Sequence, residues 1–382
     1  MDRLTENILM LNTAIGPNNT LIEKIEDYFG EEGLGNLMDL MDELKEANIL
    51  DKEKYDSVER FIREDRIEFY DEYFQKENIR IVTKFDDAYP DRLRYIDNQP
   101  YIIYVKGNLE KLNSSKMGIS IVGSRKATSY GKWVAESIAG DLAEKGVSII
   151  SGMAFGIDSI AHGITLGRGG FTAAVLGSGI DVIYPAKNKK LYHEIEEKGC
   201  IISEFAPGTP PIGFNFPLRN RIISGLGDGV LVVEAGIKSG SLITATYGAE
   251  QGKVVFAVPG NIDSIYSKGV NKLIRDGARI VTSAGDIFED LSYDAYENKS
   301  FETDLGNYDE IKMALLGILG SGEKSIAEIE AKLDYDMNKI LSNLTVLEMD
   351  GLIIQSSGKK FRLINNEIIK YMETVLRGGN DG

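Results

Sequence analysis

Residues 118–152 read GISIVGSRKATSYGKWVAESIAGDLAEKGVSIISG. An apolar β-branched run, a glycine turn, an amphipathic stretch and a second apolar run make one βαβ unit. The pattern continues outward through FTAAVLG (171–177), CIISEF (200–205), GVLVVEA (229–235), VVFAVPG (254–260) and RIVTS (279–283), about seven strand-helix units in all. Strands apolar on both faces belong inside a parallel sheet covered by helices on either side. The expected fold class is therefore α/β, a Rossmann-like, doubly wound, mostly parallel sheet. Such sheets bind ligands at the carboxyl ends of their strands, so each loop after a strand is a candidate site.

The 382 residues exceed one hydrophobic core, and 43% hydrophobic with 27% charged residues is ordinary for a folded chain. Residues 1–75 read as a small helical domain, and 76–116 as a connecting segment with two strands in IRIVT and PYIIYVKG. The sheet domain spans 117–290, followed by an acidic linker at 291–306, a last domain at 307–365 and a tail at 366–382. In the last domain, three helical patterns precede LIIQSSGKKFRLI, two short strands around a turn, and this order predicts a winged helix. No apolar run reaches the ~18 residues of a membrane span and no signal peptide opens the chain, so a cytoplasmic protein without membrane attachment is expected. One cysteine and two histidines predict no disulfide, no metal site and no cofactor bound through them.

The net charge of −16 opposes nucleic-acid binding at first sight. Its distribution does not: residues 1–116 carry 16 basic and 26 acidic groups, 117–290 carry 17 of each, and 291–382 carry 10 and 16. The middle segment also holds 27 of the 41 glycines.

Five loops carry the candidate chemistry. Gly123-Ser124-Arg125 follows the first strand of the unit and precedes a helix, a place where backbone amides, a helix N-terminus and a guanidinium accept a phosphate. The next glycine is Gly131, so the dinucleotide fingerprint G-x-G-x-x-G is absent. Ser151-Gly152 with Gly156 forms a second cradle; Asp158 and His162, one helical turn apart, are expected to meet each other and tie the helix start in place. Ser151, Asp158 and His162 also compose a hydrolase set, but no G-x-S-x-G elbow presents the serine. Gly177-Ser178-Gly179 with Asp181 precedes Lys187-Asn188, where Lys187, Lys189 and Lys190 make a basic spot or a solvated helix face. Phe214 and Phe216 precede Arg219-Asn220-Arg221, combining stacking surfaces, or core packing, with phosphate contacts. Glu234 ends a strand, and Ser239-Gly240-Ser241 opens the next helix. No nucleophile, metal set or dinucleotide fingerprint unites these loops, so binding fits better than catalysis.

The runs IVGSRKATSYG (121–131), SGMAFGIDSIAH (151–162), AVLGSGIDVIYP (174–185), SEFAPGTPP (203–211), FPLRNRIISGL (216–226), VVEAGIKSGSLIT (232–244) and VFAVPG (255–260) resemble the DNA-processing protein family DprA, also called Smf. The stretch 86–107 is similar to the family's lead into the sheet, residues 1–75 to its sterile-alpha-motif-like domain, and the end of the chain to its winged helix. The resemblance implies a cytoplasmic homodimer that binds single-stranded DNA, protects it in natural transformation and competence, and loads the RecA recombinase for DNA recombination, without being an enzyme. It places the family's phosphate-contacting arginine at Arg125. A lysine that often follows the Tyr-Pro motif is Ala186 here, with Lys187 next, and a lysine before F-x-F-P is Gly213. An apolar stripe of Val270, Leu273, Ile274 and Ile280 is expected at the dimer interface or in the monomer core. The alternative function is a phosphoribohydrolase-like nucleotide enzyme in which Glu234 and Arg219 form the catalytic pair, although VVEAGIKSGS lacks that motif's spacing.

Overall fold

A computed structural model describes residues 1–17, 19–64, 66–291, 308–333, 335–350, 352–356 and 360–363. The chain forms two compact units, 1–294 and 295–382. The expected linker at 291–306 and tail at 366–382 lie, but for Leu291, outside the described residues.

The first unit opens with five helices, α1 (Arg3–Ile15), α2 (Asn19–Gly35), α3 (Met41–Glu46), α4 (Lys52–Arg63) and α5 (Arg66–Lys76). Side-chain caps start α1 and α4, where Asp2 accepts from the Thr5 amide and Asp51 from the Lys54 amide. The sheet then follows: β1 (Arg80–Thr83), β2 (Ile102–Gly107), α6 (Leu109–Asn113), β3 (Gly118–Val122), α7 (Ser129–Glu144), β4 (Ser148–Ser151), α8 (Ile157–Gly167), β5 (Thr172–Leu176), α9 (Lys189–Lys198), β6 (Cys200–Ser203), α10 (Asn215–Leu226), β7 (Gly229–Val232), α11 (Ser241–Glu250), β8 (Val254–Ala257), α12 (Lys268–Arg275), β9 (Arg279–Ile280) and α13 (Ala284–Asp290).

The strand order is β1-β2-β6-β5-β4-β3-β7-β8-β9. Strands β3 to β9 pair parallel, while β1 and β2 add an antiparallel edge beside β6. From β3 the chain winds one way through β4, β5 and β6, then crosses back to place β7 on the other side of β3. That reversal opens a crevice between the carboxyl ends of β3 and β7. Every residue of β3, β4, β5, β6 and β7 is buried, as the apolar runs require.

The boundary expected near residue 75 is a change of architecture, not of core. One apolar cluster joins Ile8, Ile22, Leu44 and Phe74 of the helices to Tyr104, Ala174 and Ile201 of the sheet. A buried ion pair reinforces the junction: Arg221 on α10 donates to both carboxylate oxygens of Glu204, one at 2.8 Å, with the two side chains 4% and 1% exposed. Asn19 donates to the same carboxylate at 2.5 Å, Asn12 donates to the Glu204 carbonyl at 3.1 Å, and Arg221 Nε donates to the Asn98 carbonyl at 2.9 Å. Helices, lead-in segment and sheet are thus tied through one charged hub.

The second unit, by itself, has helices Glu310–Leu319, Ile326–Glu330 and Met337–Met349 with a three-stranded antiparallel sheet, in which β12 (Lys360–Leu363) lies between β10 (Lys324–Ser325) and β11 (Ile353–Ser356). The sequence pattern marks β11 and β12 and misses β10, which is two residues long. Among the described residues, no helix is long and apolar enough to cross a membrane.

Arg221→Ala leaves the Glu204 carboxylate buried without its cation, which costs about 3–5 kcal/mol, whereas removing the exposed Arg80–Glu110 pair costs about 1 kcal/mol or less. Urea denaturation of the two variants checks this; equal small losses would contradict the hub.

Candidate nucleic-acid interface

The crevice has a volume of about 910 Å³ and is walled by the loop after β3, the loop after β7 with the start of α11, and the start of α10. Arg125, Lys126, Lys238 and Arg219 line it against a single carboxylate, Asp158. In a chain of net charge −16 this is a local reversal of sign.

The loop after β3 is held from below. The Lys126 amide donates to Ser124 Oγ at 3.1 Å, and Gly123 packs on Ile157, which a Cβ would overlap at 2.6 Å. Gly156 has φ +79°, and a Cβ there would sit 2.2 Å from the Ser124 carbonyl oxygen. Only glycine supports that turn and that approach. Arg125 is exposed and projects over the Phe216 ring, its guanidinium 5.5 Å from the centroid. Among the described residues no carboxylate pairs with Arg125 or Lys126.

Arg219 forms the floor. It is 4% exposed, donates to the Gly152 carbonyl at 2.9 Å and to the Val175 carbonyl, and donates from Nε to Asn220 Oδ1 at 3.3 Å. Burial lowers its pKa to about 10, partly offset by Asp158, so it stays charged at neutral pH. Asp158, itself pushed up by burial against the pull of Arg219, accepts from the Gly152 amide at 3.1 Å. Phe216 lies 5.9 Å from the Arg219 guanidinium and 5.5 Å from the Tyr184 ring, and seats on Gly177, where a Cβ would meet it at 2.7 Å. Across the crevice Ser239 and Ser241 share a hydrogen bond of 2.8 Å at the start of α11, and Asn220 reaches the Gly240 carbonyl at 3.3 Å.

The structure thus gathers Gly123, Ser124, Arg125, Asp158, Phe216, Arg219, Asn220, Ser239, Gly240 and Ser241 around one crevice. Gly152, Gly177 and Ser178 border a small annex between Arg125, Phe216 and Arg219. Other residues named from sequence stand elsewhere. Arg221 is corrected from a phosphate contact to the buried partner of Glu204. Asp158 and His162 do not meet: His162 faces Thr172 Oγ1 at 2.6 Å, and because that hydroxyl donates to the Ile149 carbonyl, the imidazole holds its proton on Nδ1. Its Nε2 has no partner, and burial lowers the His162 pKa to about 3. Ser151 is fully buried and donates to the Ile121 carbonyl, so it is neither nucleophile nor phosphate contact. Gly156 supports the loop, Gly179 donates to the Thr209 carbonyl, and Asp181 accepts from Tyr73 and the Gly208 amide. Asn188 is tied to the Met153 carbonyl, and the exposed Lys187 does not line the crevice. Phe214 is 72% exposed and outside it. Glu234 is 2% exposed, with both oxygens engaged by Thr128. Lys126, Lys238, Tyr184 and Tyr266 line the crevice without having been singled out; the signal for the two lysines was their place beside Arg125 and beside the Ser239 turn.

Comparison with known proteins agrees with this architecture. The sequence profile of the family described as DNA recombination-mediator protein A matches residues 80–292. Protein Smf of Escherichia coli is 36% identical over 298 residues, covering 76% of this chain and 79% of that protein. DNA processing protein DprA of Streptococcus pneumoniae is 41% identical over 234 residues, covering 59% and 82%. The solved structure of DprA from S. pneumoniae is similar at a TM-score of 0.66 and 37% identity, covering 75% of this chain and 97% of that one. DNA processing protein A from Helicobacter pylori, solved for its single-stranded DNA binding mode, is similar at 0.51 and 29%, covering 56% and 96%.

Gly156→Ala must displace the Ser124–Arg125 turn and adopt a strained φ, costing about 1–3 kcal/mol. Gly163→Ala, exposed within α8 with open space around it, is stabilising by about 0.5–1 kcal/mol. Opposite shifts of the urea midpoint are expected; a neutral Gly156→Ala would remove the steric argument.

Proposed function

We propose, because the chain belongs to the DNA recombination-mediator protein A family, that its strand-end crevice binds the phosphates of single-stranded DNA. The carrying observation is four cations against one carboxylate in the crevice of an acidic protein. Fixed amides at helix starts and the Phe216 and Tyr184 rings complete a surface for backbone and bases together. A single strand fits this chemistry because its bases are free to stack, whereas a duplex hides them.

The protein would thereby protect incoming DNA and promote RecA loading in natural transformation and recombination, as a cytoplasmic homodimer without catalytic activity. Ile280 is 53% exposed and Leu273 and Ile274 are half-buried, which leaves an apolar edge for self-association; Val270 is committed to the core. Residues 291–382, which include the second unit, carry 10 basic and 16 acidic groups, and that unit, read as a winged helix, would serve protein contacts or positioning. Lys359, Lys360 and Arg362 in the same unit would add an auxiliary phosphate contact but no independent site; Lys359 lies outside the described residues. The helices of residues 1–75, read as a sterile-alpha-motif-like domain, would brace the sheet. The enzyme alternative gains nothing from Glu234, whose carboxylate is spent on Thr128.

Fluorescence anisotropy with oligo-dT at graded salt tests the reading. Arg125→Ala is expected to weaken binding by about 1 kcal/mol or more, to flatten the slope of log K against log salt by about 0.7, and to leave the melting temperature unchanged. Unchanged affinity, or equal affinity for a duplex of the same length, would contradict it.

A further inference from the structure

A second cavity, of about 230 Å³, lies between the start of α7 and the segments that follow β8 and β9. Val134, Ile138 and Val258 form its buried apolar floor, and Tyr130 and Trp133 stand at its rim, 45% and 65% exposed. The two rings are three residues apart at the start of α7, so they share one face of the helix. Leaving a large aromatic surface in water is unfavourable unless something covers it.

The cavity is continuous with the crevice through structure, not only through proximity. Tyr130 Oη donates to the Pro259 carbonyl at 2.8 Å, which pins α7 to the segment after β8. Pro259 walls the cavity, and Ile265 and Tyr266 of that segment wall the crevice. On the other side, Arg125 and Lys126 line the crevice and the chain turns directly from them into α7. Arg125 and Lys126 are both exposed, so the cations at the crevice stand within eight residues of Trp133 along the chain. No charged residue lines the cavity itself.

We propose that this cavity receives a nucleobase of the strand whose phosphates lie in the crevice, with the base stacked on Trp133. The inference rests on the single-stranded DNA reading of the crevice. An uncharged aromatic-rimmed hollow on the helix that follows the exposed Arg125 and Lys126 matches the alternation of flat base and charged phosphate in a single strand.

Trp133 is the single tryptophan of the chain, so its fluorescence reports on this cavity alone. Oligo-dT added to the full-length protein is expected to quench that emission in parallel with the anisotropy of binding, while an abasic strand of equal length binds more weakly and does not quench. Trp133→Ala should weaken oligo-dT binding about fivefold or more, with Trp133→Phe near wild type, since stacking needs a ring rather than an indole. Circular dichroism melts check that both variants fold. If wild type binds oligo-dT, Arg125→Ala weakens it, and yet emission and the Trp133→Ala affinity are unchanged, the cavity proposal fails while the crevice reading stands. A Trp133→Ala variant that keeps its DNA affinity but loses self-association in sedimentation would likewise overturn it, making this face a protein contact. If wild type does not bind oligo-dT, both fail.

Discussion

The guanidinium of Arg219 is the interaction around which the binding edge is assembled. Two strand-end carbonyls, on Gly152 and Val175, hold it, and Asp158 balances its charge from the start of α8. This clamp seats the first turn of α10 over the ends of β4 and β5. Phe216, one turn earlier, is thereby laid on Gly177 beneath Arg125. Gly152 and Gly177 are glycines because a Cβ on either would strike Arg219 or Phe216, at 2.8 and 2.7 Å. Burying a cation is costly, and the cost is offset here by carbonyl acceptors rather than by a tight ion pair. The floor of the crevice therefore keeps its positive charge.

Two buried arginines, two residues apart, do different work. Positions i and i+2 point to nearly opposite sides of a helix. Arg219 faces the crevice, and Arg221 faces Glu204, Asn19 and Asn98 on the side of the helical region. One helix thus joins the candidate site to the hub that holds helices and sheet together. Any shift of α10 is resisted from both sides.

The fold was legible in the sequence because its signals are local. Fully buried parallel strands leave apolar runs such as GISIV and TAAVL, and the glycine turns after them mark the carboxyl ends. The crevice was legible to the extent that the same loops carry it. What escaped was the direction of side chains and their distant partners. Nothing near Arg221 reveals that its carboxylate lies 17 residues back, or that Asn12 reaches the same residue across 192 positions. The spacing of Asp158 and His162 permits a contact that tertiary partners override, since the Gly152 amide and Thr172 claim them separately. Phe214 and Phe216 look equivalent in sequence, yet one turns to solvent and the other packs on Gly177.

The central claim is that single-stranded DNA engages the strand-end crevice of the first unit and not the acidic second unit. Amide hydrogen exchange of the full chain, with and without saturating oligo-dT, tests it most directly. The account predicts slowed exchange at residues 123–126 and 239–244, which wall the crevice, with residues 308–350 unchanged. Protection confined to residues 308–363, with the loops after β3 and β7 exchanging as in the free protein, would contradict it.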